Sequence, residues 1–390
     1  MNVAGIQQEL RRQGLDGWLF FDHHERDPLA YRVLGFQVPR LSTRRWYYLI
    51  PANGEPRGLV HRIESGMLNA LPGKKTLYSS WPEQQEGIAM LLGGAKRVAM
   101  QYSPMCAIPY VAMVDAGTVE LIRSLGCEVA SSAELVQHFE ARWTPEGLET
   151  HLEAGRRVDR VRREAFEMIG ERIRNGAPVQ EIEVKQYILR RFAESGMLTD
   201  HGPIVGVNAN AANPHYEPVE GSSSAIRAAD FVLLDMWAKL DKPGAVYYDI
   251  TWTGYCGTTP NDEMRNVFGI VREARDRAIE CVMTAVSSGK ALRGFEVDDA
   301  ARDYIRSQGF GEHFVHRTGH SIGEDVHGNG ANMDNLETHD ERRIIPGSGF
   351  SIEPGIYLQD FGVRSEVNIF VGEGEARVTG EIQRELVIIQ

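Results

Sequence analysis

The sequence is poor in the features that mark secreted, membrane-spanning or nucleic-acid-binding chains. Its four cysteines (Cys106, Cys127, Cys256, Cys281) are widely scattered, with neither a CxxC pair nor an even-spaced framework. A disulfide scaffold is therefore excluded, and reduced, buried thiols are expected. No apolar run approaches the roughly 18 residues that suggest a membrane span. The first segment, MNVAGIQQELRRQGLDGW, lacks the long apolar core of a secretory leader. No membrane partner is expected, and the cytoplasm is the expected compartment. Basic charge is in deficit: 42 Lys and Arg against 54 Asp and Glu leave a net charge of −12. With no basic stripe, the phosphate attraction behind nucleic-acid binding has no source here. No solenoid-period repeat or low-complexity segment is visible.

What is present is ordinary globular material, with 42% hydrophobic and 25% charged residues. A chain of 390 residues is too long for a single small core, which predicts two domains. From residue 1 to 143, apolar runs that read as strands (17–21, 45–50, 57–61, 97–100) alternate with helical patterns near 3–13, 83–92 and 108–124. That alternation predicts a compact α/β domain. Trp143-Thr144-Pro145-Glu146 marks the boundary, because Thr144 can cap a helix, Pro145 suits its first position and Glu146 complements its dipole.

The second domain, 144–390, opens with two amphipathic helices at 145–174 and 178–194. Strand patterns follow at 203–207, 230–240 and 245–254, then helices at 260–288 and 296–308, then a strand-rich end. Helices followed by strands predict an α+β domain around an antiparallel sheet.

Seven acid or imidazole groups stand out in this second half. Asp235 ends the apolar run FVLLD and Asp249 ends VYYD. A carboxylate inside an apolar strand is costly unless it is paired or bound to a cation. A hairpin through Asp241-Lys242-Pro243-Gly244 would let the two face one another; strand-end caps or salt bridges are the alternative. His316, His320 and His327 fall within twelve residues, interleaved with glycines that allow close backbone approach. Glu353, in FSIEPGIY, and Glu366, in GVRSEVNIF, again sit among apolar residues. Alternation puts Arg364 on the face of Glu366, where it could orient a carboxylate, or simply form a strand salt bridge. Four carboxylates and one imidazole suit Mn2+, Co2+, Fe2+ or Zn2+ better than a thiolate-type site would. Two such ions about 3.5–4 Å apart can activate water and polarise a carbonyl. The residues alone leave open which hydrolysis this is.

In order, spacing and flanking residues, Asp235, Asp249 in YYDITWT, His320 in GHSIG, Glu353 in SIEPGIY and Glu366 in RSE resemble the five ligand motifs of the pita-bread metallopeptidases. That family includes methionine aminopeptidase, aminopeptidase P and prolidase. The resemblance runs over about 150–390, and the segment before it resembles the creatinase/prolidase N-terminal domain. It implies that Asp235 chelates one metal, Asp249 and Glu366 bridge both, and His320 and Glu353 bind the second. Glu353 would also shuttle the proton, and His327 would contact substrate and stabilise the tetrahedral intermediate. His215, in NPHYEP, and His316 match the substrate-pocket histidines of the proline-specific branch. The activity implied is hydrolysis of Xaa-Pro bonds in dipeptides or short peptides, as a prolidase, with aminopeptidase P as the runner-up. A metal-free creatinase-like amidinohydrolase and a non-catalytic binding module are the remoter alternatives. Two divalent cations, Mn2+ foremost, and a homodimer are implied as well.

Four departures from the family pattern stand in this chain. Asp-x-Gly is Asp235-Met-Trp, Asp235 and Asp249 are fourteen positions apart, DITRT is DITWT with Trp252, and RIED is RSEV. None removes a ligand; all are expected to bear on the shape of the pocket.

Overall fold

The computed structural model describes residues 1–37 and 41–390. The chain divides into two compact units, Met1–Glu140 and Ala141–Gln390.

The first unit is built on a six-stranded mixed sheet. Its strands are β1 (Gly17–Asp22), β2 (Trp46–Pro51), β3 (Arg57–His61), β4 (Lys74–Tyr78), β5 (Arg97–Met100) and β6 (Glu128–Ser131), in the order β4-β3-β2-β1-β5-β6. The pairs β1–β2 and β2–β3 are antiparallel, while β3–β4, β1–β5 and β5–β6 are parallel. The central strands are buried on both faces, and their period-two alternation feeds two cores. Trp18, Phe20, Trp46 and Tyr48 pack on one side, and Leu19, Phe21, Tyr47 and Leu49 on the other. Two strands and the helix Pro28–Leu34 are additions to the sequence expectation. β4, KKTLY, is an edge strand whose lysines mask any apolar alternation. The helix expected over 108–124 is shorter, Ala116–Ser124, because Asp115 caps it by accepting the Thr118 N–H at 2.9 Å.

The second unit opens with the helix Pro145–Arg174. Thr144 caps it through the Gly147 N–H at 3.0 Å. Its buried stripe (Ala154, Val158, Val161, Ala165, Ile169) packs on the hairpin formed by strands Phe231–Leu240 and Tyr248–Cys256. Gly155 permits the close approach, since a Cβ there would meet the Tyr248 ring at 2.9 Å. Strand Ile204–Val207 pairs antiparallel with 231–240, and the C-terminal strand Val387–Ile389 runs parallel to 248–256. The expected antiparallel sheet therefore contains one parallel pairing at its edge. A second sheet orders strands Ser321–Ile322, Gly349–Ile352, Val367–Val371 and Ala376–Val378. Helices Asp262–Ser287 and Gly294–Ser307 supply residues to its core. Asn368 joins the two sheets: its Oδ1 accepts the Asp249 N–H at 2.9 Å, and its Nδ2 donates to the Asp249 carbonyl at 2.6 Å. The strand segment bearing Asp249 is thereby held against the second sheet.

All four cysteines are free, as expected, but only Cys127 and Cys256 are buried; Cys106 is exposed, in a turn beside Pro104. Among the described residues, no helix is long and apolar enough to cross a membrane.

Candidate metal centre and active site

The hairpin register pairs Asp235 with Thr251 and Trp237 with Asp249. The two aspartates are therefore diagonal neighbours on one face of the sheet, offset by two residues from the direct pairing expected from the turn. The chain pairs out to Ala238 and Tyr248, which leaves a loop longer than the tight turn over 241–244. On the same face Thr251, directly opposite Asp235, donates to Glu366 Oε2 at 2.8 Å and accepts from Arg364 Nε at 3.0 Å.

His320 enters from the opposite sheet. Gly319 before it is obligatory, because a Cβ there would fall 1.9 Å from the Ser351 carbonyl oxygen. Ser351 Oγ accepts the His320 N–H at 2.9 Å and donates to Glu353 Oε1 at 3.0 Å, so one hydroxyl orients two of the predicted ligands. His320 Nδ1 is bonded to the Ser321 carbonyl at 3.1 Å. A carbonyl can only accept, so the ring proton sits on Nδ1 and the Nε2 lone pair is left for a cation. That Nε2 lies 3.4 Å from both Asp249 Oδ2 and Glu353 Oε1. Burial, outweighing the neighbouring Glu353 charge, lowers the imidazole pKa.

Asp249, His320 and Glu366 are all buried, and each offers a donor atom within 4.8 Å of the others. Asp249 Oδ1 and Glu366 Oε1 have no hydrogen-bond donor among the described residues. A buried carboxylate oxygen without a partner is costly, and a divalent cation supplies what is missing. Burial first, and then the mutual charges of Asp235, Asp249 and Glu353, push the Asp249 and Glu366 carboxyls well above the ordinary range. Glu353 is raised by burial too, with His320 and Arg364 opposing. Crowded carboxylates of this kind stay ionised only beside positive charge. The donor set therefore fits a metal.

Arg364 is the fixed cation of the cluster. Its strand ends at Arg364 itself, and the partner it grips is Asp235, with Nη2 2.5 Å from Oδ2. The same guanidinium donates to the Tyr357 hydroxyl at 2.9 Å and lies 4.0 Å from Glu353. His316 Nε2 bonds the Tyr357 hydroxyl at 2.7 Å, and burial, with Arg364 beyond it, lowers that imidazole to about 3. His327 is exposed at the rim, edge-on to His320 with ring centroids 4.3 Å apart. The His320 ring, more than desolvation, lowers its imidazole to about 3. His215 is exposed on the loop after Ile204–Val207, its N–H donating to Asn213 Oδ1 at 3.1 Å.

The structure thus brings Asp235, Asp249, His320, Glu353 and Glu366 together, with Arg364, His316 and His327 around them. Sequence reading passed over Thr251, Ser351, Tyr357 and Asn368. Thr251 had a signal, standing two residues from Asp249 in a strand and so on its face. The expectation for Trp252 is corrected by that same alternation. Its ring lies on the far face, 3.4 Å beneath the Arg162 guanidinium of the 145–174 helix, and does not line the site.

Residues 149–373 match the metallopeptidase family M24, and the chain belongs to that family. It is 32% identical to the Xaa-Pro dipeptidase of Lactobacillus helveticus over 57% of this chain and 55% of that one. The chain spans about half the length of the curated relatives it matches. The whole chain superposes on dipeptidase PepE from Mycobacterium ulcerans with a TM-score of 0.71 at 23% identity, covering 97% of that chain. It also superposes over its full length on all of a dipeptidase from Pyrococcus horikoshii OT3, with a TM-score of 0.64 at 25% identity. The α+β pita-bread fold expected from the ligand motifs is the one observed.

Proposed function

We propose that this chain is a metal-dependent Xaa-Pro dipeptidase, with Asp235, Asp249, His320, Glu353 and Glu366 holding two divalent cations, Mn2+ foremost. The observation that carries the reading is the buried Asp249–His320–Glu366 group with its two unpartnered carboxylate oxygens, in a chain of family M24. When bound, such a cation pair lowers the pKa of water and polarises a carbonyl. The remaining tasks fall to the chain's own side chains. Glu353, held by Ser351 and raised by burial, is suited to take the proton from the attacking water and deliver it to the leaving nitrogen. Neutral His327 offers an N–H to the carbonyl oxygen as charge develops on it. Arg364 holds Asp235 in one orientation, and His215 and His316 line the pocket for the proline ring.

The first unit is, in this reading, a creatinase/prolidase-type domain, and the protein acts as a cytoplasmic homodimer. The test is turnover of Ala-Pro and Ala-Pro-Ala by Mn2+-loaded protein, before and after chelation. Hydrolysis of Ala-Pro, abolished by chelation, is the expected result. Cleavage of the tripeptide alone would favour the aminopeptidase P reading. Turnover that survives complete metal removal would overturn the assignment.

A further inference from the structure

Asp235, Trp237 and Lys239 alternate onto one face of the 231–240 strand, and Trp237 pairs directly with Asp249. Directly opposed residues hold their Cβ atoms about 4.5–5.5 Å apart, so the Trp237 ring starts beside a proposed metal ligand. Its indole Nε1 donates to Asp200 Oδ1 at 2.9 Å. The Asp200 side chain is 43% exposed, and its Oδ2 has only the largely exposed His201 nearby, at 3.4 Å, among the described residues. Lys239 Nζ donates to the Glu324 carbonyl, and the Tyr247 N–H to Gly323, so the loop bearing His327 is fastened to the same hairpin.

We propose that Trp237 and Asp200 form a subsite for a cationic group on the substrate residue before the scissile bond. This rests on the peptidase reading above. A carboxylate held by a neutral indole keeps its charge, and its open oxygen can accept from an ammonium or guanidinium. The aromatic face beside it adds a cation–π contact. The cation is either the α-ammonium or a basic side chain, and the peptides chosen separate them.

The experiment measures kcat and KM of the metal-loaded wild type, Asp200→Asn and Trp237→Phe on Lys-Pro, norleucine-Pro and N-acetyl-norleucine-Pro. A side-chain cation predicts a kcat/KM about tenfold higher for Lys-Pro than for norleucine-Pro, about 1.4 kcal/mol of transition-state binding. That ratio falls towards one in Asp200→Asn, through KM, and partly in Trp237→Phe. An α-ammonium instead gives equal rates for the first two peptides and an acetylation penalty that Asp200→Asn removes. If neither the ratio nor the penalty changes in Asp200→Asn, the subsite is overturned. Absence of turnover by the wild type defeats the peptidase reading instead. Calorimetric binding of the same uncleaved peptides then decides the subsite by the same comparisons.

Discussion

Glu181 and Glu366 are both carboxylates with almost no exposure, and the chain treats them in opposite ways. Glu181, at the start of the helix Glu181–Glu194, accepts from the N–H groups of Val207 and Ser224, from Asn210 Nδ2 and from the Tyr216 hydroxyl. Both of its oxygens are satisfied, and it ties down the two ends of the loop that carries His215. Glu366 receives the Thr251 hydroxyl on one oxygen and, among the described residues, nothing on the other, while Asp249, Glu353 and Asp235 crowd it. A carboxylate buried with a full set of donors is structural. One buried among its own kind, with an oxygen left open, is waiting for a cation. Burial and residue type do not separate these cases; the donor count does.

Four expectations would break or sharpen this contrast. The largest is catalytic: Glu366→Ala should lower Xaa-Pro hydrolysis by roughly 1,000-fold or more, because several kcal/mol of transition-state stabilisation leave with the metal. A steady-state assay on Ala-Pro checks it. Glu181→Ala should act on folding instead, costing about 3 kcal/mol in a denaturant titration by stranding four donor groups, while Mn2+ binding persists.

The third expectation concerns another fully satisfied group. Buried His151 bonds the Tyr247 carbonyl at 2.5 Å and the Thr379 hydroxyl at 2.7 Å, and burial lowers its pKa to about 4. The unfolded chain takes up that proton first, so the contribution of His151 is fully present above pH 6.5 and lost as pH falls towards 4. The loss amounts to about 3 kcal/mol, and His151→Asn should flatten the stability–pH curve in that window. The smallest effect is the most diagnostic in sign. In metal-free protein, Asp249→Asn should raise stability by about 1 kcal/mol, because it removes an acid whose ionisation burial and Asp235 make costly. Melting curves with and without chelator would show it, and a destabilised metal-free Asp249→Asn would mean that these carboxylates are structural after all.

Much of the architecture was legible wherever local chemistry and periodicity agreed. Thr144-Pro145-Glu146 and the apolar stripe behind it predicted the Pro145–Arg174 helix to the residue. The ligand carboxylates were visible because an acid in an apolar strand demands an explanation. Short or edge strands were not, since β4 carries two lysines and β6 is only EVAS. Arg364 was flagged, but its partner could not be read, because Asp235 lies 129 positions away and only the fold brings them together. Glu181 escaped notice because an acidic residue in a first helical turn already has an ordinary local reason. Trp252 was misjudged although the information was present: three positions from Asp249 in a strand is the opposite face.

The central claim is that the buried acids and His320 form a cation cage. Calorimetric Mn2+ titration of the chelator-treated wild type and Asp249→Ala tests it most directly. Two ions should bind per wild-type chain, and the substitution should abolish that binding. Wild-type protein that takes up no metal, or Asp249→Ala that takes up as much with the same affinity, would contradict it.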